Sequence, residues 1–425
     1  MNTTAINAWP IEAIRNCFPG LRRTLDGRPC AFFDGPAGSQ VPESVADAVA
    51  NYLKFTNCNR GAAFATARES DSILNNAHQT VADFLGADDP DCVIFGPNMT
   101  SLTMHLAHTL ADAWKPGDEI LLTQLDHDAN VSPWVLAAKQ AGAIVRHAPV
   151  NLADGTLDLA AWQNLLSERT RLAAFGYASN ATGTVNPVRE MIAMAKQAGA
   201  TTFVDAVHYA PHGRICVREL QCDFLACSAY KFFGPHEGIL WGRRQLLETH
   251  KPWKLRPAPN QLPGLWMTGT QSHEAIAGTA AAVEYLAGIA EWLPPGSITP
   301  QNNRSEKLDV VFKYLAEYER FLSAIFLDGL SSVPGIRIHG IQDRSRIHER
   351  VPTFSWTFPD LTPRQAAEWL ARRGLCVWNG NAYALPFTEA ARLEPLGVIR
   401  AGALHYNTPA EIQRLTDALH ELRRA

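Results

Sequence analysis

From about residue 90 to 245 the chain alternates short, unbroken apolar runs with amphipathic stretches. The runs are CVIFG (92–96), EILLT (119–123), AIVRHAPV (143–150), RLAAFGYA (171–178), TTFVD (201–205), DFLACS (223–228) and GILWG (238–242). Runs of this length predict strands covered on both faces. Between them, Leu102, Leu106 and Leu110, then Val135 to Ala141 and Met191 to Ala198, carry apolar residues at helical spacing. Strands alternating with helices predict an α/β protein with a mostly parallel sheet. In such sheets ligands sit outside the carboxyl ends of the strands, so the residues just after each run matter most for chemistry.

The stretch Ser272–Trp292 is rich in helix formers and predicts a helix that leads from this sheet to a second region. PPGSITPQNNRSE (294–306) reads as an irregular loop. A helix (308–330), short strands near 336–339 and 352–358, a helix (362–373), a strand (375–378) and a final helix (409–424) then predict a smaller α+β unit. The expected division is a large domain over 23–282 and a small one built from 1–22 and 283–425. There is no internal repeat.

Composition narrows the partners. With 425 residues, 46% apolar and 19% charged, the chain is globular and longer than a single small module. Thirty-eight basic against 42 acidic residues give a net charge of −4, without blocks of one sign, so neither nucleic acid nor an anionic membrane is expected as a partner. The first twenty residues lack a basic segment leading into an apolar one, and no later stretch offers eighteen uncharged apolar residues; neither a signal peptide nor a membrane span is expected. Eight scattered cysteines (17, 30, 58, 92, 216, 222, 227 and 376) show no CxxC pair and no metal-ligand spacing. They read as buried free thiols of a cytoplasmic protein.

The chemistry concentrates in Thr201–Gly242. One apolar strand ends in Asp205, a second ends in Ser228, and Lys231 follows three residues later, flanked by Tyr230, Phe232 and Phe233. A lysine in such surroundings is partly desolvated, which lowers its pKa and favours condensation with an aldehyde. A carboxylate on the neighbouring strand end suits a pyridinium nitrogen. These are the two protein groups that pyridoxal phosphate chemistry requires.

With these residues in view, the sequence resembles the class V aminotransferase family of fold-type I pyridoxal phosphate enzymes, in its cysteine desulfurase-like branch. The resemblance runs from FFDGPAGSQVP (32–42) to IRAGALHYNTPAEIQRL (399–415). It implies a seven-stranded, mostly parallel sheet sandwiched by helices, pyridoxal 5'-phosphate as cofactor, an amino acid as substrate, and a homodimer with shared active sites. The family's Ser-x-His-Lys appears as Ser228-Ala229-Tyr230-Lys231, and its Asp-x-x-Gln as Asp205-Ala206-Val207-His208. By that match Lys231 forms the Schiff base, Asp205 pairs the pyridine nitrogen, Ser228 binds the phosphate, and His208 faces the ring oxygen or the phosphate. Tyr230 stands where the family has a phosphate-side His.

FGPNMTSLTMHLA (95–107) places Asn98, Met99 and Thr100 at a helix start, where free N–H groups suit a phosphate; Thr100 is the expected side-chain ligand. LDHDANVSPW (125–134) makes His127 the ring expected to stack on the cofactor, and SNATGTVNP (179–187) makes Asn180 the donor to its phenolic oxygen. MTGTQSHEAIAG (267–278) matches a turn, Gly269-Thr270, that serves the phosphate of the other subunit. IRAGALHYNT (399–408) makes Arg400 the grip on the substrate carboxylate.

The departures are as informative. Desulfurases carry a nucleophilic Cys on a mobile loop after an Arg-x-Gly-His-His-like lead, whereas this chain has VWNGNAYALPF (377–387). Gly380 remains, Trp378 replaces the Arg, and the Cys position falls on or near Tyr383. Cys376, the last cysteine, reads as a buried strand thiol rather than an activated one. The family's His-Arg-Gly-x-His segment is Asn59-Arg60-Gly61-Ala62-Ala63, without its substrate-side His. The expected reaction passes through an external aldimine and loss of the α-proton, with elimination, transamination and epimerisation open, and without the usual persulfide. Tyr383, Trp378, Asn379, Asn381 and Asn59 are candidates for the side-chain pocket, Tyr383 as proton donor or as wall. A desulfurase and a non-catalytic binding protein that keeps the fold are the alternatives. A nucleotide enzyme would need a GxGxxG or Walker lysine after an early strand, which the chain lacks.

Overall fold

A computed structural model describes residues 8–424. All seven apolar runs become strands of one sheet, in the order Val93–Gly96, Gly238–Gly242, Phe224–Ser228, Thr201–Asp205, Thr170–Gly176, Glu119–Thr123 and Ile144–Ala148. Gly238–Gly242 is antiparallel to both neighbours and every other pairing is parallel. The expected α/β architecture is therefore the observed one.

Side chains along each strand alternate between two apolar layers, as the twofold period of a strand requires. Val204, Leu225 and Ile239 join the layer that holds Phe84, Val81 and Leu286, while Phe203, Phe224 and Leu240 join the layer of Trp134, Leu106 and Leu110. Each such side chain removed from water contributes about 1.5–3 kcal/mol, so both faces of the sheet are held along its inner strands, while the edge strand Ile144–Ala148 is buried only at Ala148.

The helix Ala65–Leu85 precedes the region of clear alternation and does not figure in the sequence reading. Its buried face mixes Leu74, Val81, Phe84 and Leu85 with the small Ala67, Ser70, Ala77 and Ala82 and the polar His78 and Thr80. It ends at Gly86, whose left-handed backbone (φ 62) and closeness to Cys216, where a Cβ would lie 2.8 Å from the Cα, both call for glycine. The expected helix from Ser272 is present as His273–Gly288 with a short 3-10 continuation, Ile289–Trp292.

A second, four-stranded antiparallel sheet runs Arg337–His339, Thr353–Thr357, Val398–Gly402, Trp378–Gly380. The single strand read over 375–378 is two pieces. Leu375–Cys376 pairs in parallel with Ala31–Phe32, and Trp378–Gly380 turns to pair with Val398–Arg400. The Gly402 N–H donates to the Phe33 carbonyl at 2.8 Å, so residues 31–34 are tied to the second sheet. Contacts between the two sheets fall beside the strand ends: His208 Nε2 and Thr353 Oγ1 are hydrogen-bonded at 3.0 Å, and Thr184 bridges Arg350. Among the described residues no helix is long and apolar enough to cross a membrane, and no group of His, Cys, Asp or Glu could hold a metal ion.

All eight cysteines are free, but only Cys30, Cys92, Cys222 and Cys227 are buried; Cys17, Cys58, Cys216 and Cys376 are partly exposed. The reading of all eight as buried thiols is corrected to that extent.

Candidate active site

The carboxyl ends of the strands converge on one cavity. Met99 and Thr100 follow Val93–Gly96, His127 follows Glu119–Thr123, Asn180 follows Thr170–Gly176, Asp205 ends its own strand with His208 just beyond, and Ser228 and Lys231 end the next; all eight line the cavity. The helix Met99–Ala111 aims its start at this space. Asn98 caps it by accepting from the Ser101 N–H at 2.8 Å, and the Met99 N–H donates to Ser228 Oγ at 3.3 Å. An anion here meets the positive end of the helix dipole beside the Ser228 hydroxyl.

Lys231 lies in the turn Ala229–Lys231 and is only 7% exposed. Burial, with Arg400 nearby, lowers its pKa to about 7, against the opposing pull of Asp205 and Asp34. Its ammonium donates to the Pro36 carbonyl and stands 5.2 Å from the Tyr230 ring centre. A lysine so placed has a substantial neutral fraction near pH 7. Tyr230 stacks on His236 at 5.0 Å.

Asp205 accepts from the Val207 N–H at 2.9 Å. Burial raises its pKa to about 6, opposed by that bond and by Lys231, so the carboxyl is mostly ionised at neutral pH. His127 is held by the Ala129 N–H, which donates to its Nδ1 at 3.0 Å, so the neutral ring carries its proton on Nε2. Burial, with Lys231 and Arg400 nearby, lowers its pKa to about 3. His208 is likewise kept neutral, by burial first and then by His212, Lys231, Arg400 and His127.

Arg400 is buried on Val398–Gly402, and burial lowers its pKa to about 10 while Tyr230 pulls the other way. Its Nη1 donates to the Asn180 carbonyl at 2.9 Å. The Asn180 side chain donates in turn to the Ala382 carbonyl at 2.8 Å, bringing the segment after Gly380 onto the site. Tyr383 stacks on His127 with ring centres 5.5 Å apart and planes at 22°. Asn180 Oδ1, His208 Nδ1 and Arg400 Nε are buried without a protein partner.

Three expected site residues lie elsewhere in this chain. Asn59, Gly269 and Thr270 line a separate cleft of about 940 Å³ with Trp253 and Leu255, apart from Lys231. Trp378 is exposed on its strand. Cys376 pairs through its backbone with Phe32, and burial raises its thiol pKa to about 11. No cysteine lines the Lys231 cavity among the described residues.

Two carboxyls beside the site escaped the sequence reading. Asp34, pushed up to about 6 by burial, reaches Lys231 through the long-range pairing of residues 31–34, which carries no local signal. Asp126, adjacent to His127, accepts from Asn130 Nδ2 at 3.0 Å and from the Thr123 hydroxyl, and burial raises it to about 7. Its place in the LDHDAN segment could have flagged it.

Comparison with known proteins adds a second line of argument. The sequence model described as aminotransferase class-V matches residues 31–293 and 306–415. A probable cysteine desulfurase of Streptomyces coelicolor is 32% identical over 436 residues, covering 97% of this chain and 97% of the relative. A cysteine desulfurase of Pectobacterium atrosepticum is 29% identical over 433 residues, covering 98% and 99%. The crystal structure of the cysteine desulfurase CsdA from Escherichia coli overlays with a TM-score of 0.82 at 26% identity, over 98% of each chain.

Proposed function

Since the chain belongs to the class V aminotransferase family, whose members are pyridoxal-phosphate enzymes, we propose that it removes the α-proton of an amino acid, in an elimination or transamination, without forming a protein persulfide. The observation that carries this reading is Lys231, a buried amine with its pKa lowered to about 7, in a cavity that also holds Asp205 and the start of the helix Met99–Ala111.

The cavity suits the cofactor. Buried polar atoms without partners are costly, and His208 Nδ1 is one of them. Ser228 Oγ, Thr100 and the start of the helix Met99–Ala111 are the groups to hold the phosphate, Asp205 to pair the ring nitrogen, and His127 to cover its face; His208 meets the ring's oxygen side, with Asn180 through the second hydrogen of Nδ2, the first being given to the Ala382 carbonyl. Pyridoxal phosphate, when bound, supplies an aldehyde that condenses with an amine and a ring that withdraws electrons from the α-carbon. Arg400, fixed through Nη1, keeps its Nε edge for the substrate carboxylate and so sets the direction of the Cα–H bond. Lys231 Nζ, with a substantial neutral fraction near pH 7, is the base placed to take that proton.

The separation from a desulfurase reaction rests on the segment after Gly380, where Tyr383 rather than a thiol packs on His127. We also propose a homodimer in which Gly269, Thr270 and Asn59 serve the partner's site. The exposed Trp253 and Leu255 of their cleft supply apolar surface for such a contact. The large domain over 23–282 and the small one over 1–22 and 283–425 are its units, and eight free thiols suit a reducing compartment such as the cytoplasm.

Borohydride reduction followed by peptide mass spectrometry tests the cofactor attachment: the phosphopyridoxyl group is expected on Lys231, and another lysine would refute the assignment. A panel of amino acids assayed for pyruvate, ammonia and sulfide, with alkylation of all eight cysteines during turnover, tests the reaction. A trapped persulfide on any of them makes the protein a desulfurase. Mixing Lys231→Ala and Thr270→Ala subunits should restore partial activity if sites are shared.

A further inference from the structure

Tyr383 sits in an unusual piece of backbone. Ala382 and Tyr383 are consecutive left-handed residues, with φ of 54 and 57, and neither is a glycine or an asparagine. The left-handed region crowds the Cβ of any L-residue against its own main chain, so two in series are a strained turn that its surroundings must hold. Burial does not hold it, since Tyr383 is 72% exposed.

What holds it is the site itself. The Asp128 N–H donates to the Tyr383 carbonyl at 2.7 Å, and Asn180 Nδ2 donates to the Ala382 carbonyl at 2.8 Å. The stem is anchored too: a Cβ on Gly397 would fall 2.0 Å from the Gly380 carbonyl carbon, so the chain enters the turn along a fixed line. The turn so held sets the Tyr383 ring over His127, 5.5 Å away between ring centres with planes at 22°. His127 gains from such a support, because it is neutral and the ring's one hydrogen bond among the described residues, from the Ala129 N–H to Nδ1, fixes an edge of the ring but not its tilt.

We propose that Tyr383 is a positioning residue for His127, working through its aromatic face and main-chain carbonyl rather than its hydroxyl. The strained turn sets the plane in which His127 meets the cofactor ring. This sets Tyr383 against His127 rather than in the cavity itself, and gives the segment that replaces the desulfurase loop a task of its own. The inference rests on the reading of His127 as the cover of the cofactor ring.

The test uses the full-length protein loaded with pyridoxal phosphate, in three variants. Visible circular dichroism reports how rigidly the bound cofactor is held, and hydrogen exchange at the Asp128 amide reports whether the turn is seated, since that N–H donates to Tyr383. Tyr383→Ala should lower the visible circular dichroism to roughly half or less while the cofactor stays on Lys231, and should speed exchange at Asp128. Tyr383→Phe should restore both signals, and Ala382→Gly, which removes one strained residue, should slow exchange at Asp128. Two results overturn the proposal: Tyr383→Phe behaving like Tyr383→Ala, which makes the hydroxyl the working group, or Tyr383→Ala matching the wild type. If the wild type takes up no pyridoxal phosphate, the functional reading fails instead. The exchange measurement then still decides whether the Tyr383 ring seats the turn, and equal exchange in all variants rejects it.

Discussion

Arg400 and Asn180 meet across 220 residues of chain: the guanidinium Nη1 donates to the Asn180 carbonyl at 2.9 Å, which leaves the Nε edge of a buried cation without a protein partner. The residue proposed to meet the cofactor thereby sets the angle of the one proposed to meet the substrate. Arg400→Ala should keep the cofactor on Lys231 and lose about a hundredfold or more in kcat/KM, since a bidentate charge-assisted contact is worth a few kcal/mol. Steady-state kinetics beside an absorbance titration of the cofactor separates the two effects.

The pKa of Lys231 predicts a pH dependence. A protonated amine cannot attack an aldehyde, and burial lowers this group from 10.5 to about 7. The rate at which pyridoxal phosphate couples to the cofactor-free protein should therefore rise with pH, pass its midpoint near 7 and flatten above it. The sign of the stability effect follows. Between about 7 and 10.5 the folded chain has lost this proton and the unfolded chain keeps it, so this group makes the cofactor-free protein more stable as pH rises through that window. Lys231→Met should melt above the cofactor-free wild type at pH 7, as differential scanning calorimetry would read.

Cys376 lies on a short strand paired with Phe32 and its thiol is held near 11 by burial, far from the thiolate that sulfur transfer needs. Cys376→Ser should leave turnover within about twofold of the wild type, a surface-like change by the usual scale of such substitutions. An inactive Cys376→Ser protein would return the enzyme to persulfide chemistry.

Gly238 is close to the cap of the phosphate-side helix: a Cβ there would stand 2.3 Å from the Asn98 carbonyl carbon and 2.7 Å from its Cα. Gly238→Ala should displace Asn98 and weaken cofactor binding by about tenfold, or 1.4 kcal/mol. A fluorescence titration with pyridoxal phosphate measures it.

His212 and Glu319 form a buried pair at 2.9 Å. Burial raises the Glu319 pKa and the histidine opposes the rise. Glu319→Ala should lose about 1–3 kcal/mol of stability in urea, because it strands a buried polar ring, whereas Glu319→Gln should lose less.

Much of this architecture follows from local pattern. The strands ending in Asp205 and Ser228 are continuous apolar runs of sheet-like length, so their ends, and with them Lys231, could be placed before any coordinates. The helix start at Asn98, Met99 and Thr100 could be placed through the family's matching segment, and the structure adds that Asn98 caps it. What escaped is what long-range contacts decide. Asp34 reaches Lys231 because residues 31–34 pair near 375 and 402. The turn at Tyr383 escaped for another reason: NGNAY offers Gly380 and Asn381 for left-handed backbone, and Asn381 is passed over while Ala382 and Tyr383 adopt it. Strain of that kind runs against propensity, which is why no propensity argument finds it.

The pairing of Ala31–Phe32 with Leu375–Cys376 also has a consequence for how the protein is made. During translation the segment that delivers Pro36 to Lys231 must wait for a partner strand more than three hundred residues downstream, and Arg400 emerges later still. Domains are ordinarily completed as they leave the ribosome, but here the lysine pocket is left open at one side until almost the entire polypeptide has been synthesised. Cofactor capture therefore belongs to the finished chain, and a ribosome stalled before residue 375 carries the reactive amine without the walls that assign it to one aldehyde.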